Sequence, residues 1–234
     1  MHDLDRRERQ RQATISEIKA TARSQMERDG ATNLSLAAIA RSMGLTTPAL
    51  YRYFENRDAL VVALIAESYD SMGECLEQAV GSRPVDDFLG RFLALMRAYR
   101  QWAREHREDY GLMYGAQVYG STVTFDQIGP AVTRSLRVMV ELFQTSHEAG
   151  HLSIPEPYRE PPPSFRQALA GLRSVLEDES LALGILALSF STWLLAHGMV
   201  WQELHGVLPE VLFGTGELYE MEIQILARRL ELAA

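Results

Sequence analysis

The chain has 234 residues, enough for one or two domains. Hydrophobic residues make up 47% and charged residues 23%, which excludes a disordered, collagen-like or low-complexity chain. The net charge of −8 is unevenly spread: residues 1–60 hold ten Lys and Arg against eight Asp and Glu, and the whole acidic excess follows residue 60. A mildly basic head on an acidic body suits a protein with one end able to approach phosphate. Cys75 is the single cysteine, so no internal disulfide and no cysteine zinc cluster is expected. The opening residues, MHDLDRRERQRQ, have no apolar stretch of the kind a secretory signal needs, and a cytoplasmic location is expected.

The periodicity is helical throughout, with no sustained strand alternation. Ile15, Ile18, Ala22 and Met26 form the stripe of an amphipathic helix that Gly30 stops. Ser35 is placed to cap a short second helix with Leu36, Ile39, Ala40 and Met43 inward, ended by Gly44. A third helix starts at Thr46-Thr47-Pro48 and carries Leu50 and Phe54. A longer helix follows Asn56 to about Gly81. The next has Leu89, Phe92, Met96, Tyr99 and Ala103 on one face, and a shorter one covers about 107–117. Residues 118–128 read as a loop, 130–149 as a helix, and the proline-rich 153–164 as a connector. Helical pattern resumes at Phe165, and two long helices cover about 178–205 and 215–232. The run Leu181–Trp201 has no charged residue, but its acidic flanks give no positive-inside signal, so a buried helix is expected and no membrane span.

Residues 35–54 have helix-turn-helix spacing, with glycine in the tight turn. At 100° per residue, Leu50 and Phe54 point inward and Arg52 points outward, flanked by Thr47 and Tyr51 on one side and Tyr53 on the other. An arginine there suits guanine O6 and N7 in a major groove, and the hydroxyls suit phosphate oxygens. Arg57 opens the following helix, where free backbone N–H groups also favour an anion.

The segment Thr46 to Leu60, TTPALYRYFENRDAL, resembles the recognition-helix signature of the TetR family of transcriptional regulators. Ile18 to Ala22, Gly30, and Ile39 to Leu45 extend the likeness over about 15–65. The resemblance implies an all-α fold: an N-terminal three-helix DNA-binding domain, residues 1–56, and a C-terminal helical bundle for ligand binding and dimerisation, 57–234. It implies DNA contacts at Ser35, Thr46, Thr47, Tyr51, Tyr53 and Arg57. Ala37 departs from members that read bases from the second helix, and Arg57 replaces lysine, so no operator carries over. Trp193 to Gly206, WLLAHGMVWQELHG, and His106 to Gly115 resemble the WHG class of body domain.

The expected function is a homodimeric regulator, a repressor released from a palindromic double-stranded operator by a small hydrophobic effector. Met96, Tyr99, Trp102, Tyr110, Met113, Tyr114, Phe143, Trp193 and His197 are candidate walls and anchors of the effector pocket. The dimer is expected on the last two helices, with Gly184 and Gly198 allowing close approach. A competing motif is His147-Glu148-x-x-His151, the spacing of a zinc hydrolase. Gly150 inside it is expected to end the helix before His151, so neither a metal nor another cofactor nor an enzyme is expected. A helical ligand-binding protein without DNA function is the other alternative.

Overall fold

The computed structural model describes residues 2–115, 123–206 and 215–232, with side chains from Arg6 onward. The helices are α1 His2–Asp29, α2 Leu36–Ser42, α3 Thr47–Tyr51, α4 Arg57–Gly81, α5 Phe88–Glu105, α6 Arg107–Gly115, α7 Phe125–Glu148, α8 Glu156–Arg159, α9 Pro163–Val175, α10 Leu183–His205 and α11 Glu217–Arg229. A single 3-10 turn, Ala31–Asn33, separates α1 from α2. No strand occurs among the described residues.

Several boundaries differ from the sequence expectation, each for a local reason. Helix α1 starts at His2 rather than near Ile15. Its first turns carry no apolar stripe, so periodicity does not reveal them. They are built from Arg, Glu and Gln, which are good helix formers, and Gln12 donates to Glu8 one turn back. Helix α7 starts at Phe125, so residues 125–128 of the expected loop are helical, while 118–122 lie outside the described residues. Gln127 Oε1 accepts from the Thr124 backbone N–H, half of a capping box that marks this start better than Pro130 does. The expected connector holds the single turn of α8 and the first two residues of α9. Helix α10 starts at Leu183 rather than 178, because Asp178 Oδ1 accepts from both the backbone and hydroxyl of Ser180 and holds that stretch in a turn.

The chain forms two compact units, Met1–Ser68 with His106–Gly129, and Tyr69–Glu105 with Pro130–Ala234. Thus α4 supplies Arg57–Ser68 to the first unit and Tyr69–Gly81 to the second. Helix α7 divides at Pro130, which lacks the N–H for its helical bond.

The first unit is built on Ile18, Ala22 and Met26 of α1, Ile39 of α2, Leu50 of α3, and Leu60 and Leu64 of α4, all removed from solvent. Helix α6 joins this unit through charge. Arg23 Nε lies 3.0 Å from each carboxylate oxygen of buried Asp109, and Arg23 Nη1 lies 2.9 Å from Glu67. Lys19 Nζ completes the cluster, 2.8 Å from Glu67.

The second unit packs α10 against α5, α8 and α9. Helix α10 is long and apolar enough to cross a membrane by length and composition, yet half of its most apolar stretch is buried in the protein. Arg100 of α5 makes a bidentate pair with Glu203 of α10 at 2.7 Å on both arms. Tyr219 of α11 donates to the Met96 carbonyl at 2.7 Å, and Arg134 of α7 is paired with Glu77 of α4.

Arg23→Ala is expected to destabilise the protein by about 2–3 kcal/mol, because it leaves the Asp109 carboxylate buried without its partner. Adding Asp109→Asn should recover part of that loss. Urea unfolding measures both, and a loss below about 0.5 kcal/mol for Arg23→Ala contradicts the assignment.

Candidate functional site

Helix α3 is one and a half turns long, and its placement depends on the residues around it. Ser35 sits in extended backbone before α2, and its hydroxyl accepts from the Ala38 N–H at 3.4 Å. Gln25, buried on α1, holds this corner, accepting from the Ser35 N–H and donating to the Asn33 carbonyl. Helix α2 ends at Gly44, whose φ of 67° lies in the left-handed region that glycine adopts at least cost. The Leu45 N–H returns to the Ala40 carbonyl at 2.8 Å, closing the turn. Thr46 then caps α3, its hydroxyl accepting from the Ala49 N–H at 3.3 Å, with Pro48 in the first turn. Leu50 and Phe54 are buried as the periodicity predicts.

Thr46, Pro48, Tyr51 and Arg52 form the outward surface of this segment, with Tyr51 50% exposed and Arg52 capping the C-terminus of α3. Thr47 and Tyr53 flank them, half-buried. Each N-cap hydroxyl, on Ser35 and Thr46, accepts from its own helix and keeps its proton to donate to an anion. This surface presents one guanidinium and several hydroxyls, the groups that meet guanine edges and phosphate oxygens.

Arg57 has a structural duty that the sequence does not disclose. Its Nε donates to the Leu34 carbonyl at 3.2 Å and its Nη2 to the Ala31 carbonyl at 3.1 Å. One planar fork thereby ties the start of α4 to the segment before α2. Asn56 caps α4 by accepting from the Ala59 N–H at 2.8 Å. The sequence reading also passes over Arg6, Arg7, Arg9 and Arg11 on the first turns of α1 and Arg41 at the end of α2, all exposed and in the same unit. Their signal is a basic cluster on a helix without an apolar stripe.

The body candidates separate. Met96, Tyr99 and Trp193 wall a cavity of about 10 Å³, room for roughly one water, together with Met72, Met139 and Ser135 among others. Trp102 is buried and donates its indole N–H to the Ser71 hydroxyl at 3.1 Å. Phe143 packs on Phe92 at 5.9 Å in the core. His197 stacks on Trp193 at 5.6 Å and 15°, and burial pushes its imidazole below the ordinary histidine range. Tyr110, Met113 and Tyr114 lie on α6 in the first unit, where the two tyrosine rings pack 4.8 Å apart. Aromatic and methionine content does not distinguish these settings, because all of them are apolar.

The His147-Glu148-x-x-His151 motif is a helix end. Helix α7 stops at Glu148, Gly150 adopts φ 79°, and the His151 N–H returns to the Ser146 carbonyl. His147 Nδ1 lies 2.9 Å from the Leu152 carbonyl, and the His151 ring lies 5.1 Å from Phe88. The two imidazoles therefore do not share one helical face.

Arg57→Ala is expected to loosen the first unit as well as alter its charge. Hydrogen exchange of α2 and α3 amides should accelerate at least about fivefold, equivalent to about 1 kcal/mol of the fork's bonds. Arg57→Lys should not restore protection, since an ammonium does not reproduce the fork. Unchanged exchange in Arg57→Ala contradicts this role.

Comparison with known proteins agrees with this geometry. The profile of bacterial regulatory proteins of the tetR family matches residues 18–64, and that of the tetracyclin repressor-like C-terminal domain matches residues 92–226. The HTH-type transcriptional regulator Rv1816 of Mycobacterium tuberculosis is 32% identical over 124 residues, 53% of this chain and 53% of its own. The chain thus spans about half the length of the curated relatives it matches. The crystal structure of SCO4313 is 30% identical with a TM-score of 0.73, covering 94% of this chain and 97% of that one. AibR, solved with isovaleryl coenzyme A and operator DNA, shares the fold at a TM-score of 0.54 and 16% identity, over 94% of this chain and 99% of that one. The chain belongs to the tetR family of bacterial regulatory proteins, DNA-binding regulators of transcription that join a helix-turn-helix head to a helical C-terminal domain.

Proposed function

We propose that this protein is a cytoplasmic, homodimeric repressor that leaves a palindromic operator when a small hydrophobic effector enters its body. The observation that carries the DNA half is the outward surface of α3, with Arg52 exposed between hydroxyl-bearing neighbours. In this reading Arg52 addresses a guanine in the major groove, while Ser35, Thr46, Thr47, Tyr51 and Tyr53 hold phosphates. Arg57 divides its donors between the fold and the backbone of the duplex. Residues 1–56 carry the DNA function and 57–234 the effector and dimer functions, with α4 as the lever shared by both units.

The dimer reading draws on apolar groups left exposed on α10 and α11. Leu194, Leu195 and Met221 are each more than two-fifths exposed, and Gly198 has open space where a side chain would stand. A two-fold interface needs such a self-complementary patch. Gly184 is reassigned from the twin to the protein's own chain, since its Cα faces the Tyr158 carbonyl and Ile154. Light scattering should give twice the chain mass of 26.3 kDa at micromolar concentration, and a stable monomer would contradict the dimer.

The effector acts by linkage. It binds better to the body conformation whose two heads are wrongly spaced for successive major-groove half-sites. The coupling is reciprocal, so an effector that lowers DNA affinity tenfold loses tenfold of its own affinity when operator is bound.

Selection from a randomised duplex library should enrich an inverted repeat whose half-sites lie a whole number of turns apart. Binding to the enriched site should weaken steeply as salt rises, because phosphate contacts release counterions. Arg52→Ala should cost about 1–3 kcal/mol and relax one base pair in each half-site. An unchanged preferred sequence in Arg52→Ala assigns the base reading to another group.

A further inference from the structure

Eight polar side chains are buried among the described residues, and six of them are hydrogen-bonded. The buried hydroxyls of Ser68, Ser146, Ser135 and Thr133 each donate to a carbonyl of their own helix, at 2.6 to 2.9 Å. Ser189 and Thr192 on α10 are the two exceptions. They are 0% and 2% exposed, and neither hydroxyl has a partner. A helical serine or threonine normally satisfies itself on the carbonyl one turn back, and these two do not. A buried hydroxyl left unsatisfied costs about 1–3 kcal/mol, and such a group calls for a reason.

Their position bears on this. Neither is among the walls of the body cavity, but each stands one helical turn before a residue that is, Ser189 before Trp193 and Thr192 before Ala196, on the same buried side of α10. The cavity is nearly closed, at about 10 Å³, but Met72, Met96 and Met139 line it, and methionine repacks at little cost. Among the described residues no charged side chain stands in its walls, so an ionised group entering it would lose its hydration without compensation from them.

We propose that Ser189 and Thr192 are the polar anchors of the effector site, and that the effector is a neutral, mainly apolar molecule carrying one or two hydrogen-bonding oxygens. The ligand's apolar body displaces the methionines while its oxygen meets the two hydroxyls that the ligand-free protein leaves unmade. This assignment rests on the effector reading above and adds to it the class of ligand and the residues that recognise it.

The test uses the full-length protein with three probes of one shape: naphthalene, 2-naphthol and 2-naphthoate. Thermal shift and calorimetric titration are run on the wild type and on the double variant Ser189→Ala with Thr192→Val. The wild type should bind 2-naphthol about tenfold more tightly than naphthalene, as one net hydrogen bond allows, and should not bind 2-naphthoate. The double variant should bind naphthalene and 2-naphthol alike. Its ligand-free Tm should equal or exceed that of the wild type, because the unsatisfied hydroxyls are gone. The proposal is overturned if the preference for 2-naphthol survives in the double variant, if no probe binds the wild type, or if the ligand-free variant loses several degrees. Hydroxyl-dependent binding of 2-naphthol that leaves operator affinity unchanged refutes the effector reading and keeps the site. Hydroxyl-independent binding that still weakens operator affinity does the reverse.

Discussion

A helix of five residues does not sustain itself in water, since the first turn fixes several residues for one hydrogen bond. Helix α3 is such a helix, and whatever the head does with DNA depends on what holds it. The constraint is met from both ends and from beneath. Thr46 and Pro48 set its start, the glycine turn at Gly44 sets its angle to α2, and Leu50 with Phe54 seats it on the core. Arg57 then locks α4, the next helix, to the carbonyls of Ala31 and Leu34. Pro48 and Tyr51 are thereby left to face outward, with Thr47 beside them half-buried, and a short helix becomes a presenting surface.

Charge organises both units differently from their cores. In the first unit, Arg23, Lys19, Glu67 and Asp109 bind α6 to α1 and α4, although α6 lies far along the chain among the segments of the body. Asp109 is buried, so this pair depends on geometry, because a carboxylate out of water needs its partner's donors. In the second unit, Arg100 with Glu203 and Arg134 with Glu77 do the comparable work between helices. The acidic excess that follows residue 60 thus coexists with a mildly basic N-terminal segment.

The stripe of Ile18, Ala22 and Met26, the caps at Ser35 and Thr46, and the turn at Gly44 were all legible from residue spacing, and the structure places each in its expected role. The first turns of α1 were not, because a helix polar on every face leaves no periodic trace. The start of α7 was obscured by Pro130, a residue that more often opens a helix than sits inside one. The structural use of Arg57 depends on carbonyls more than twenty residues away, and no local pattern carries that. The body pocket was the least legible part. Its aromatic and methionine residues look alike in sequence whether they fill a core, as Phe143 does, or border a void, as Trp193 does. The two orphan hydroxyls of α10 stand in a run whose one other hydroxyl residue, Ser191, gives no sign of difference in sequence.

The DNA-binding role proposed for the head stands on α3 entering the major groove and meeting base edges there. Methylation interference on the selected operator tests this most directly, because dimethyl sulfate marks guanine N7 in the major groove and adenine N3 in the minor groove. Methylating guanine N7 at one position in each half-site should prevent binding, with the two positions related by the operator's two-fold axis. Interference confined to adenine N3, or none at any guanine, would contradict it.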